Sequence, residues 1–125
     1  MFKYRTVIEA LARASAFVIQ RKDADYGGSW QKRGGAAAYA MLVRKWDRLE
    51  IAVAKHNGDI FAALEADQRP EGLIDDIRDL RNYLSLVEAK AFADNITTFP
   101  KELTDGEVLD CVGLITAEPT AVEAA

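Results

Sequence analysis

The chain has 125 residues, half of them apolar and 29% charged, with a formal net charge of −4. That length suits one domain with one core, and the composition is globular rather than disordered. The lone cysteine, Cys111, excludes an internal disulfide, and the lone histidine, His56, excludes a zinc site built on several His or Cys ligands, so carboxylates remain as metal ligands.

Residues 4–22 read as an amphipathic helix, with Tyr4, Val7, Leu11, Ser15 and Val18 at spacings of three and four. Its apolar run is broken by Glu9 and Arg13, and no segment approaches the ~20 apolar residues of a membrane span, so a soluble protein is expected. The stretch "KDADYGGSW", residues 22–30, then reads as a polar, aromatic-tipped loop ending near "KRGG", residues 32–35. A second helix follows over about 36–56, with Tyr39, Leu42, Val43, Trp46, Leu49 and Val53 on one stripe, and "NGD" stops it.

Asp59 is placed to cap a short third segment, "IFAALEADQ", which Pro70 closes. A fourth helix is expected over about 71–95, with Leu73, Ile77, Leu80, Tyr83, Leu84, Val87 and Ala91 inward. Beyond Pro100, "TDGEVLDCVGLI" fits one short helix in which Thr104 and Glu107 form a capping box, and "TAEPTAVEAA" reads as a frayed tail. The fold class is therefore all-α: a small bundle of about four helices with a short C-terminal helix. Residues 1–95 form the core and residues 96–125 an extension of the same domain. So few long helices make a thin core, and a homo-oligomer is expected.

Charge is unevenly spread. Residues 1–56 carry 11 Lys/Arg against 5 Asp/Glu, and residues 57–125 carry 5 against 15. Two readings follow: solvated faces that attract each other or a second copy, or a basic region receiving phosphates beside an acidic region holding cations. Duplex nucleic acid is not an expected partner of so acidic a chain without a reading motif.

The acids of the long helices stand out. Relative to Trp46, Glu50 falls at about 40°, within the apolar stripe of the second helix, and Asp47 at about 100°, on its edge. Relative to Leu80, Asp76 falls at about −40° and Asp79 at about −100°, again one within the stripe and one beside it. A carboxylate in an apolar stripe costs several kcal/mol unless paired. The repeated acid-x-x-acid spacing suggests two pairs facing each other around Mg²⁺, a cation that bridges carboxylates to phosphates; Mn²⁺ would also serve. Pairing with Arg44, Lys45, Arg48, Arg78 or Arg81 would satisfy the same acids without a metal.

"KWDRLE" (45–50) followed by "DDIRDLRNYL" (75–84) resembles the MazG-like all-α nucleoside triphosphate pyrophosphohydrolases, which carry one acid pair on each of two helices. The loop pattern K-D-x-D-Y-G-x-S-W, then K-x-x-R-L and D-L-x-N-Y, is similar to the nucleotide-modification-associated domain family found in phages. The resemblance covers roughly residues 18–90. Asp47 replaces the usual Glu, and Asp76 with Asp79 replaces the commoner Glu/Asp pair. It implies a cytoplasmic protein of a bacterial or phage-infected cell, acting on a nucleotide or a modified one. Asp47, Glu50, Asp76 and Asp79 would hold metal, with Glu50 also the general base, and Tyr83 would belong to the nucleotide site. Lys45, Arg48 and Arg81 would neutralise phosphate. In the loop, Tyr26 and Trp30 offer faces for a base, Gly27 and Gly28 a tight turn, and Ser29, Lys22, Lys32 and Arg33 phosphate contacts. The alternative is a non-catalytic binder of a nucleotide or cyclic nucleotide, a phage sponge that sequesters a host defence signal.

Overall fold

The computed structural model describes residues 2–117; the expected frayed tail lies mostly outside the described residues. Six helices follow one another: α1 (Arg5–Tyr26), α2 (Ser29–Lys32), α3 (Gly35–Ala54), α4 (Ile60–Ala66), α5 (Leu73–Ala93) and α6 (Asp105–Ala117). Among the described residues there is no strand. The chain divides into two compact units, residues 1–89 and residues 90–125.

The caps are local chemistry legible in the sequence. The Asp59 carboxylate accepts from the backbone N–H groups of Phe61 (3.0 Å) and Ala62 (3.1 Å), satisfying two otherwise orphaned donors at the start of α4. At α6, Thr104 N–H donates to Glu107 Oε1 (2.8 Å) and Glu107 N–H donates to Thr104 Oγ1 (3.2 Å), the reciprocal capping box. The start of α5 is held differently. Asp67 accepts from the Leu73 N–H, and its other partner is the Arg69 guanidinium at 2.9 Å. The Arg69 hydrogen bond, then that of Leu73, holds the Asp67 carboxyl far below the usual carboxylate range.

The core of the first unit is small: Leu49 from α3, Ala63 from α4 and Leu73 from α5 are buried, flanked by Ala52, Val53, Ile60, Leu64 and Ile77. The short α4 thus fills the angle between the two longer helices. The expected stripe of α1 is not covered. Val7, Ile8, Leu11, Phe17 and Val18 are exposed, and Ser15 alone on α1 is buried. A polar contact ties α1 to α5, for the Arg81 guanidinium donates to Ser15 Oγ at 2.7 and 3.2 Å.

In the second unit, the end of α5 turns at Asn95 (φ 60°), and Ile96 N–H donates to Ala91 O at 2.8 Å. The Phe92 and Phe99 rings lie 4.9 Å apart. α6 half-buries Val108 and Cys111 while leaving Leu109, Leu114 and Ile115 exposed.

Candidate functional site

Most of the expected loop is helix. α1 continues four residues past Lys22, so Asp23, Asp25 and Tyr26 belong to its last turn, and Ser29–Lys32 forms the short α2. Arg33 and Gly34 link α2 to α3, and Gly27 and Gly28 remain as a turn, both left-handed at φ 57° and 72°. Two consecutive residues in that region are cheap only for glycine. The Gly27 N–H donates to Asp23 O at 2.7 Å, closing α1. Such a turn folds α2 back and sets Trp30 across from α5.

A cavity of about 380 Å³ lies between this turn and α5. That volume is within the range of small-molecule sites. α1 supplies Ile19, Lys22, Asp23 and Tyr26; the turn and α2 supply Gly28, Ser29 and Trp30. α5 closes it with Asp79, Asn82, Tyr83 and Leu86. The structure therefore brings together Lys22, Tyr26, Gly28, Ser29, Trp30, Asp79 and Tyr83 from the sequence-derived set. Lys32 and Arg33 are exposed and outside the lining.

The second acid pair sits as the periodicity of α5 requires. Asp76 is 2% exposed and Asp79 is half-buried. Each has cationic partners from the first half of the chain. Arg48 Nε lies 3.0 Å from Asp76 Oδ1. Asp79 takes Lys45 on Oδ2 at 2.9 Å and Lys22 on Oδ1 at 3.6 Å. Among the described residues two buried acceptors have no hydrogen-bond partner, Asp76 Oδ2 and Asn82 Oδ1.

The first acid pair corrects the sequence reading. Asp47 and Glu50 are exposed rather than inside a buried face. The covered side of α3 runs through Met41, Leu42, Lys45, Leu49, Ala52 and Val53, which centres it about 80° from Trp46 on the helical wheel, on the side away from Glu50. Trp46 itself is 51% exposed. The stripe was wide, and where α4 and α5 lie decides which part is covered. The expected convergence of four carboxylates does not form: among the described residues no three His, Cys, Asp or Glu side chains group as a metal ion would need. Instead the basic residues of α3, Lys45 and Arg48, meet the acids of α5, Asp79 and Asp76.

Arg81 also departs from expectation. Its guanidinium is engaged with Ser15, and its side chain lines a separate open groove of about 420 Å³ with Trp46, Leu80 and Leu84. Sequence reasoning missed Ile19, Asp23, Asn82 and Leu86. Asn82 had a signal: it stands three residues after Asp79, one helical turn along the same side of α5.

Against known proteins, the chain matches no family model, no curated protein and no solved structure.

Proposed function

We propose that this chain binds a nucleotide in the cavity between the Gly27–Gly28 turn and α5. One observation carries the reading: Tyr26, Trp30 and Tyr83 line a cavity whose edge holds Asp79 between two lysines, Lys22 and Lys45. Aromatic faces accept a base by stacking. Two ammonium groups on a single carboxylate leave an excess positive charge, which phosphate oxygens would take up. The resemblance of "KWDRLE" and "DDIRDLRNYL" to the MazG-like pyrophosphohydrolases, and of the K-D-x-D-Y-G-x-S-W loop to the phage nucleotide-modification-associated family, supports the same choice. A cyclic nucleotide sequestered unchanged, the phage-sponge role, fits a pocket that binds without assembling four acids.

The test is a thermal-shift series with nucleoside mono-, di- and triphosphates and cyclic nucleotides, with and without Mg²⁺. A nucleotide at 100 times its Kd adds about 2.7 kcal/mol of stability, a readily measured rise in Tm. If no nucleotide raises Tm more than inorganic phosphate does, the proposal fails.

A second reading, Mg²⁺- or Mn²⁺-dependent pyrophosphohydrolysis, is favoured by Asp76, whose buried Oδ2 lacks a partner one turn from Asp79. These two residues would hold the cation, which when bound neutralises phosphate and polarises water. Water would add at the α-phosphorus, the bond to the bridging oxygen would break, and pyrophosphate would leave from a nucleoside monophosphate. Asp79→Asn should then abolish product formation. Unchanged nucleotide recovered from the wild-type protein after incubation with Mg²⁺ or Mn²⁺ leaves binding alone. In that reaction the exposed Glu50 is the untested candidate base, and Glu50→Gln at the wild-type rate removes it from the mechanism.

We also propose a homo-oligomer. The exposed apolar residues of α1, together with Trp46 and Leu84, form the kind of surface that soluble monomers keep small. Residence in the bacterial or phage-infected cytoplasm belongs to the same proposal; no helix among the described residues is long and apolar enough to cross a membrane.

A further inference from the structure

We propose that α5 pairs antiparallel with α5 of a second copy, about a two-fold axis between Leu84 and Ser85, so that Arg81 meets the partner's Glu88 and Glu88 meets the partner's Arg81. This deepens the homo-oligomer reading and rests on it. The open groove of about 420 Å³ beside Trp46 carries the argument. Along α5 its wall includes Arg81, Leu84, Ser85 and Glu88, which at spacings of three, four and seven share one helical face. That face is apolar and small at its middle and carries opposite charges at its two ends.

Neither charge is satisfied within the chain. The Arg81 guanidinium is half-buried and donates through Nε and Nη2 to the Ser15 hydroxyl, a neutral acceptor. Its Nη1, with two further N–H groups, takes no part in that contact. Among the described residues neither Arg81 nor Glu88 enters an ion pair. No residue three or four positions from either along α5 carries the opposite charge. The two stand two helical turns apart, about 10 Å along the axis, too far to serve each other.

A face of this kind is its own complement. A two-fold contact requires that if one residue meets another, the second meets the first in return. Turned antiparallel about its middle, the face brings opposite charges together at both ends, whereas a parallel pairing would set like against like. Ser85 at the centre is small enough for two helices to approach to roughly 8–10 Å between axes. Leu84 and Trp46, each 51% exposed, supply the apolar area that such a contact removes from water. α1 exposes apolar residues too, but its one acid between residues 5 and 22, Glu9, is already paired with Arg5.

Sedimentation equilibrium on the full chain reads the contact, with circular dichroism to check the fold of each variant. Glu88→Gln and Glu88→Arg should weaken self-association in that order. The second should do so at least roughly tenfold, because a like pair then replaces an opposite one at both ends. Joining Arg81→Glu to Glu88→Arg should restore it. Should Arg81→Glu not fold without its Ser15 contact, the order of the two Glu88 variants decides alone. Self-association unchanged by Glu88→Arg, or lost with Leu11→Glu and kept with Leu84→Glu, overturns the α5 contact and leaves a homo-oligomer built on another surface. A wild-type monomer at tens of micromolar overturns the homo-oligomer, and this contact with it.

Discussion

The Lys45 ammonium lies 2.9 Å from Asp79 Oδ2, with both side chains more than two-thirds covered. Lys45→Met therefore leaves Asp79 to the more exposed and more distant Lys22 at 3.6 Å. A loss of about 1–3 kcal/mol is expected, measured by urea unfolding. Adding Asp79→Asn should recover part of it, because the stranded charge is gone; simple additivity of the two losses would show no coupling.

Arg48 and Asp76 make a less balanced pair, with the guanidinium half in solvent and the carboxylate 3% exposed. Arg48→Met should cost about 1–3 kcal/mol, below the range for fully buried pairs because Arg48 is already partly hydrated. Asp76→Asn in that background should restore stability. If Arg48→Met melts with the wild type, the ion pair contributes nothing.

Asp67 gives the fold a pH dependence. Its folded value lies below the ordinary 3.8, so its contribution is complete above that pH and is lost as pH falls through the lower folded value. Asp67→Asn should lower Tm at pH 7, and the gap to wild type should narrow as the pH drops well below 3.8. Gly72 tests the same junction by shape. A Cβ there would run into the Asp67 carboxylate, so Gly72→Ala should destabilise by about 1–3 kcal/mol.

Two alanine substitutions separate turn geometry from space. Gly28→Ala meets only ordinary contacts but must hold φ 72°, and should cost about 1–2 kcal/mol. Gly35→Ala has open space and no positive φ at the start of α3, and should be neutral or slightly stabilising. Both are read in thermal melts. A neutral Gly28→Ala would mean that the turn tolerates another backbone.

Sedimentation equilibrium tests self-association. An assembly larger than one chain is expected, and Trp46→Glu or Leu11→Glu should reduce it if those exposed residues form the contact. A monomer at tens of micromolar wild-type protein would refute it.

Local signals were the legible ones. Asp59, Thr104 and Glu107 act within a few residues of themselves, so sequence alone located their caps. The burial of Asp76 was also legible, because Leu73 and Leu80, three residues before and four after it, share its helical face. Glu50 was not. On α3 the apolar residues extend from Leu42 through Trp46 to Val53, a belt broader than the area α4 and α5 cover, and only tertiary placement chooses its covered side. The end of α1 was obscured for another reason: Lys22, Asp23 and Asp25 have the polarity of a loop, yet the chain does not leave the helix until Gly27. Asn82 was overlooked because an amide within "DLRNY" draws less notice than the acid and aromatic beside it.

The clasp between Arg81 and Ser15 has a mechanical meaning. One cavity wall, with Ile19, Lys22 and Tyr26, rides on a helix tied to α5 by two polar contacts, Arg81 to the Ser15 hydroxyl and Lys22 to Asp79. Hydrogen bonds can be traded for water at little net cost, whereas a packed seam cannot. This wall is therefore held by contacts that water can replace, unlike the hydrocarbon packing around Leu49, Ala63 and Leu73.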